Sequence, residues 1–134
     1  MKHQGGCHCG AVRYEVQGVP EHSGICHCTD CRKASGAPML SWTAFKDENF
    51  AVTQGDPVTR NSSGATMRSF CGDCGTGLYY RNAEYLPGLV DITTATLDTP
   101  DDLPPQAHIQ VAERIAWMAT MHELPEFERF PAPE

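Results

Sequence analysis

The 134-residue sequence predicts a single, mainly β domain of short strands with little helix, spanning residues 1–134, and three observations carry that expectation. Apolar residues alternate with polar ones over short stretches, the period of a half-buried strand, far more often than they recur at helical spacing. Turn-forming residues break these stretches at Gly18-Val19-Pro20, Gly55-Asp56-Pro57 and Asn61-Ser62-Ser63-Gly64. The length suits one domain, which can bury roughly two thirds of its unfolded surface, and no internal repeat or heptad suggests otherwise.

In chain order, the first predicted strand is 11–16, with Val12, Tyr14 and Val16 on one face and Arg13 and Glu15 on the other. Residues 29–34 read as one helical turn, capped by Thr29 or Asp30 and stopped by Gly36. Cys31 then lies near the helix N-terminus, where amide dipoles favour a thiolate. Strands at 39–45 and 50–53 flank a polar turn at 46–49, and a hairpin of 58–60 with 65–70 delivers Cys71 at a strand end. Gly75 permits a tight knuckle after Cys74. Strands at 78–81 and 89–97 continue the sheet, 100–105 is a proline-rich surface connection, and 107–111 is the last strand. A helical segment at 112–122 cannot continue undisturbed past Pro125, so the end reads as an irregular tail packed by Trp117, Phe127 and Phe130. Trp42, Phe45, Tyr79 and Tyr80 read as core.

The seven cysteines carry the chemistry. They divide into Cys7-x-Cys9, Cys26-x-Cys28-x2-Cys31 and Cys71-x2-Cys74. The first and last pairs together make one tetrahedral set, the ligand number of a closed structural zinc site, while the triad matches an open site that keeps a position for water or substrate. Joining the two pairs ties the N-terminal strand to a distant hairpin, which stabilises a small, loop-rich domain. His27 faces away from the triad in an extended chain, so closure falls to His3, His8, His22 or His108, or else to water or an exogenous thiol. Three thiolates make zinc a weaker Lewis acid than three histidines do, which suits a bound thiol better than a hydroxide nucleophile. Asp30, Arg32 and Lys33 flank the triad and read either as a carboxylate-orienting group or as ordinary solvated charges.

Composition narrows the alternatives. An odd cysteine count and metal-like spacings favour ligation over a disulfide framework. The formal charge of -7, with ten basic residues scattered among seventeen acidic ones, argues against nucleic acid as a partner. No apolar run has membrane-spanning length and the start lacks an apolar signal core, so a cytoplasmic protein without membrane association is expected.

Three segments resemble the glutathione-dependent formaldehyde-activating family: Gly6-Cys7-His8-Cys9-Gly10-Ala11-Val12-Arg13-Tyr14, Cys26-His27-Cys28-Thr29-Asp30-Cys31-Arg32-Lys33-Ala34-Ser35-Gly36-Ala37 and Phe70-Cys71-Gly72-Asp73-Cys74-Gly75-Thr76. Thr96-Leu97-Asp98, His108-Ile109-x-Val111, Trp117 and Leu124-Pro125-x-Phe127 are similar to later landmarks of that family. The resemblance implies an Mss4-like fold of several small coiled β-sheets with zinc knuckles. It implies a structural zinc on Cys7, Cys9, Cys71 and Cys74 and a catalytic zinc on Cys26, Cys28 and Cys31, two per chain. The activity implied is that of a carbon-sulfur lyase joining an aldehyde, formaldehyde in the family's name, to glutathione or another small thiol as S-(hydroxymethyl)glutathione or a like adduct. The alternatives are a non-catalytic zinc-stapled binding or thiol-carrier module, and a redox or metal-handling protein whose triad thiols exchange.

Overall fold

The computed structural model describes residues 1–131. Its strands are β1 (Lys2–Gly6), β2 (Arg13–Gln17), β3 (His22–Cys26), β4 (Leu40–Lys46), β5 (Phe50–Gln54), β6 (Val58–Ser63), β7 (Thr66–Phe70), β8 (Gly77–Asn82), β9 (Leu89–Thr93) and β10 (His108–Ile109). The α-helix α1 (Thr29–Ser35) follows β3, and short 3-10 segments make up the remaining helix among the described residues. The strands form a three-stranded sheet in the order β1-β2-β5 and a seven-stranded sheet in the order β10-β3-β4-β9-β8-β7-β6. All neighbours run antiparallel except β10, which lies parallel to β3. The mainly β expectation therefore holds.

Pairing register sorts the side chains of the large sheet onto two faces, because residues directly opposite one another point the same way. Phe45 pairs with Val90, Thr43 with Ile92 and Ile92 with Tyr79, so these share the inner face. They pack with Val12, Tyr14 and Val16 of the small sheet's side into one core. The alternation read for 11–16 is thus realised in β2. The outer face carries Trp42 opposite Thr93, Asp91 opposite Tyr80, Tyr80 opposite Arg68, and Cys26 opposite Leu40. Below α1, that face bears the chemistry.

Several elements differ from expectation. β1 and β3 were not anticipated, because Lys2–Gly6 and His22–Cys26 are short and rich in glycine, histidine and serine. Their partners make them strands: β1 pairs with β2 along its whole length, and β3 runs along β4. The segment read as helical at 112–122 is two 3-10 pieces, Val111–Glu113 and Ala116–Glu123, the second broken by non-helical backbone at Thr120. The tail aromatics do not pack a core; Trp117, Phe127 and Phe130 are all exposed. No helix among the described residues is long and apolar enough to cross a membrane.

The helix α1 ends as its sequence dictates, at Gly36 with φ 73°, whose N–H bonds the Arg32 carbonyl at 2.7 Å. Space around Gly36 is open, so only backbone strain opposes a side chain there. Gly36→Ala is expected to cost about 1 kcal/mol, read as a lower melting temperature with unchanged metal content.

Candidate functional site

Two turns bring the outer cysteine pairs together. After β1, the Cys7 N–H bonds the Val12 carbonyl at 3.1 Å and the Gly10 N–H returns to the Cys7 carbonyl at 3.2 Å. After β7, the Cys71 N–H bonds Thr76 at 3.0 Å and the Gly75 N–H bonds Cys71 at 2.8 Å. Gly10 and Gly75 both adopt φ 82°, the conformation that closes each knuckle. The two knuckles are also tied directly, through His8 N–H donating to Thr76 Oγ1 at 3.1 Å.

The sulfurs of Cys7, Cys9, Cys71 and Cys74 lie within 4.8 Å of one another. Cys7 to Cys9 is 3.6 Å and Cys9 to Cys71 is 3.8 Å. A tetrahedral zinc with Zn–S bonds near 2.3 Å requires sulfurs about 3.8 Å apart, so this donor set fits such an ion. The Val12 N–H points at Cys7 Sγ from 3.2 Å and the Thr76 hydroxyl lies 3.3 Å from Cys74 Sγ. With help from backbone amides, that hydroxyl brings Cys74 down to about 5.

The triad is built differently. Cys26 ends β3 on the outer face, Cys28 follows in the loop, and Cys31 occupies the first turn of α1. Their sulfurs also lie within 4.8 Å of one another, and no fourth His, Cys, Asp or Glu joins them among the described residues. Cys28 itself caps the helix, its sulfur accepting the Cys31 N–H at 3.3 Å, where Thr29 or Asp30 had been expected. Sharing of the Cys26 proton brings Cys31 down to about 5 against the opposing pull of burial, with Cys28 and Arg68 adding to the effect. Neighbouring sulfurs and a guanidinium thus favour that charge.

Arg68 is the residue that sequence reasoning missed. Its Nη2 lies 2.7 Å from Asp30 and 3.6 Å from Cys31 Sγ, and its Nε donates to Ser62 at 2.9 Å. The guanidinium also faces the Tyr80 ring at 5.4 Å and the Trp42 ring at 6.0 Å, while these rings meet edge to face. Asp30 is therefore not free to orient a substrate; partly exposed, it anchors Arg68, with Ser62 and Ser63. Arg32 is occupied by Thr29 and the Glu113 carbonyl, and Lys33 is exposed. Phe45, Tyr79 and Trp42 are buried in the core as anticipated, Trp42 in a second cluster with Cys26 and Cys31, whereas Tyr80 is only partly buried and packs against that cluster.

A cleft of about 410 Å³ opens on the triad, walled by Arg68, Tyr80, Asp91, His22 and Glu113. A second cleft of about 450 Å³ lies beyond Arg68, between Trp42, Leu40, Phe70 and Arg60. Arg68 lines both. Of the histidines considered as closing ligands, His3 of β1 packs near Phe45 of β4, His8 sits on the other knuckle, and His108 Nδ1 lies 2.9 Å from His27 Nε2. His22 shares the cleft without entering the ligand cluster. His27 is buried by the pairing of β3 with β10, which explains why it takes no part.

Residues 2–113 match the family described as glutathione-dependent formaldehyde-activating enzyme. The chain belongs to that family. Among curated relatives, a Halomonas elongata protein provisionally named a glutathione-dependent formaldehyde-activating enzyme is 28% identical over 124 residues, covering 86% of this chain and 78% of its own. An uncharacterised lyase of Schizosaccharomyces pombe is 28% identical over 120 residues, covering 77% of this chain and 82% of its own. A crystal structure of a Rhodobacter sphaeroides protein superposes with a TM-score of 0.63 at 25% identity, over 78% of this chain and 98% of that one. The family match takes in both cysteine clusters, and it ends before Trp117 and the exposed tail.

Proposed function

We propose that this member of the glutathione-dependent formaldehyde-activating family is a zinc-dependent carbon-sulfur lyase. It acts on the adduct of an aldehyde with glutathione or a similar small thiol. One observation carries the reading: three cysteine sulfurs gathered in a cleft wall, with no fourth His, Cys, Asp or Glu beside them among the described residues, leave one position for a cleft-borne ligand. Cys7, Cys9, Cys71 and Cys74 are the structural ligands in this reading, and Cys26, Cys28 and Cys31 the catalytic ones. Zinc bound to the triad supplies a Lewis acid that favours the thiolate form of a substrate thiol.

The chain's own residues supply orientation. Tyr80 walls the triad cleft with an aromatic ring, and Trp42, buried behind the triad, backs the Cys26 and Cys31 side chains. Arg68 balances the negative charge of the thiolates from the Cys31 side. Past it, Arg60 pairs in register with Arg68 across β6 and β7, and no carboxylate is within ion-pair reach of Arg60 among the described residues. That second cleft suits the acidic arm of a thiol such as glutathione.

The test uses exchange between formaldehyde and its thiol adducts, followed by NMR against the spontaneous rate. Zinc-loaded protein is expected to accelerate exchange with glutathione, and Cys28→Ser to abolish the acceleration. Arg60→Ala is expected to raise KM severalfold for glutathione but not for uncharged 2-mercaptoethanol. Exchange no faster with protein than in buffer would remove the lyase reading.

A further inference from the structure

Asp91 is a buried carboxylate that neither cysteine cluster uses. It lies in the middle of β9 between Val90 and Ile92, is 1% exposed, and faces the wall of the triad cleft. Its Oδ1 has no hydrogen-bond partner, and no cation pairs with it among the described residues. Arg68, which lines the same cleft, spends its bonds on Asp30, Ser62 and Cys31. Burying an ionisable group without a partner is costly, and such groups concentrate where chemistry needs them. Tyr80, its register partner across β8 and β9, packs against the triad, and both residues line the same cleft. The pair thus reaches from the sulfurs to the cleft wall.

We propose that Asp91 is the proton acceptor and donor for the hydroxyl of the thiol adduct, with Tyr80 as its positioning residue. The proposal rests on the lyase reading above. In cleavage of an RS–CH2–OH adduct, the Asp91 carboxylate takes the hydroxyl proton. The O–H electron pair forms the C=O bond, and the C–S bond breaks with its pair passing to sulfur. Products are the aldehyde, the thiolate and protonated Asp91. In the joining direction the thiolate adds to the carbonyl carbon and the oxygen recovers that proton. Burial raises the Asp91 carboxyl above its ordinary range, opposed by Tyr80 and His22. Besides the triad, the titratable groups sharing its cleft are His22, Asp30, Arg68, Tyr80, Tyr85 and Glu113.

The experiment compares zinc-loaded wild type, Asp91→Asn and Asp91→Glu in the NMR exchange assay with glutathione and formaldehyde. Asparagine keeps the shape and removes the base. It is expected to lower kcat at least about 100-fold while KM, zinc content and melting temperature do not suffer, and glutamate is expected to restore at least about tenfold. A loss smaller than tenfold, or a loss that tracks missing zinc or a raised KM, overturns the role. Should asparagine prevent folding, Tyr80→Phe carries the test, since it keeps the ring against Trp42; an unchanged kcat there overturns the proposal. A wild type that does not accelerate exchange sinks the lyase reading and this proposal with it. A fast wild type with an equally fast Asp91→Asn sinks the proposal alone.

Discussion

Cys71→Ser is expected to unfold the domain, whereas Cys28→Ser leaves it folded with one metal ion fewer. The asymmetry follows from what each cluster joins. Cys9 and Cys71 stand 62 positions apart in sequence, and their cluster ties the β1–β2 turn to the end of β7. Binding of a structural zinc contributes roughly 10–16 kcal/mol in small zinc domains, comparable to the roughly 5–15 kcal/mol that holds a whole domain folded. On the proposed reading, a serine at 71 removes one ligand of a closed set. By contrast, Cys26, Cys28 and Cys31 lie within six residues of chain and close no long loop. A serine at 28 even keeps the helix cap, because its hydroxyl can accept the Cys31 N–H that the sulfur now holds. Thermal melts by circular dichroism, with zinc counted by elemental analysis, separate the two. A Cys71→Ser protein that melts cooperatively within a few degrees of wild type would refute the staple.

Arg68→Met carries the second large effect. The guanidinium is 11% exposed, and Asp30 keeps 35% of its side chain in water. Removing one partner of a buried pair costs about 3–5 kcal/mol, and solvent screening of Asp30 brings the expected loss nearer to about 2 kcal/mol. Burial alone would push Asp30 up, but Arg68, Ser63 and Ser62 bring it below its ordinary 3.8. Its contribution is therefore fully present above that value and is lost as pH falls through the depressed folded one. The stability gap between wild type and Arg68→Met should narrow on acidification below about pH 4. Cys31 also loses its guanidinium, so zinc at the triad should dissociate faster from the variant in a chelator competition at neutral pH. Equal melting temperatures and equal zinc release would show that Arg68 only fills space; Arg68→Lys, which keeps the charge but not the fork, is expected to fall between.

Much of the site could be read from spacing. Cysteines two or three positions apart converge through local turns, and Gly10, Gly36 and Gly75 mark the turns and cap that the backbone requires. The strand alternation at Val12, Tyr14 and Val16, and the hairpin that delivers Cys71, likewise depend on neighbours a few residues away. β1 and β3 escaped detection because their residues have little strand preference and take their conformation from β2 and β4. The tail was misread for the opposite reason: Trp117, Phe127 and Phe130 are apolar enough for a core, yet the chain places no core beneath them.

Cysteine spacing and glycine placement thus specified the two donor sets, the knuckles and the mainly β character, since each depends on bonds and contacts spanning a few residues. Which side chains complete the triad cleft was settled by strand register instead. Arg68, Tyr80 and Asp91 come from three strands and meet only because β7, β8 and β9 pair so that all three point outward. In a strand, a shift of one residue would turn each of them to the other face, and no local signal records which face the partner strand selects.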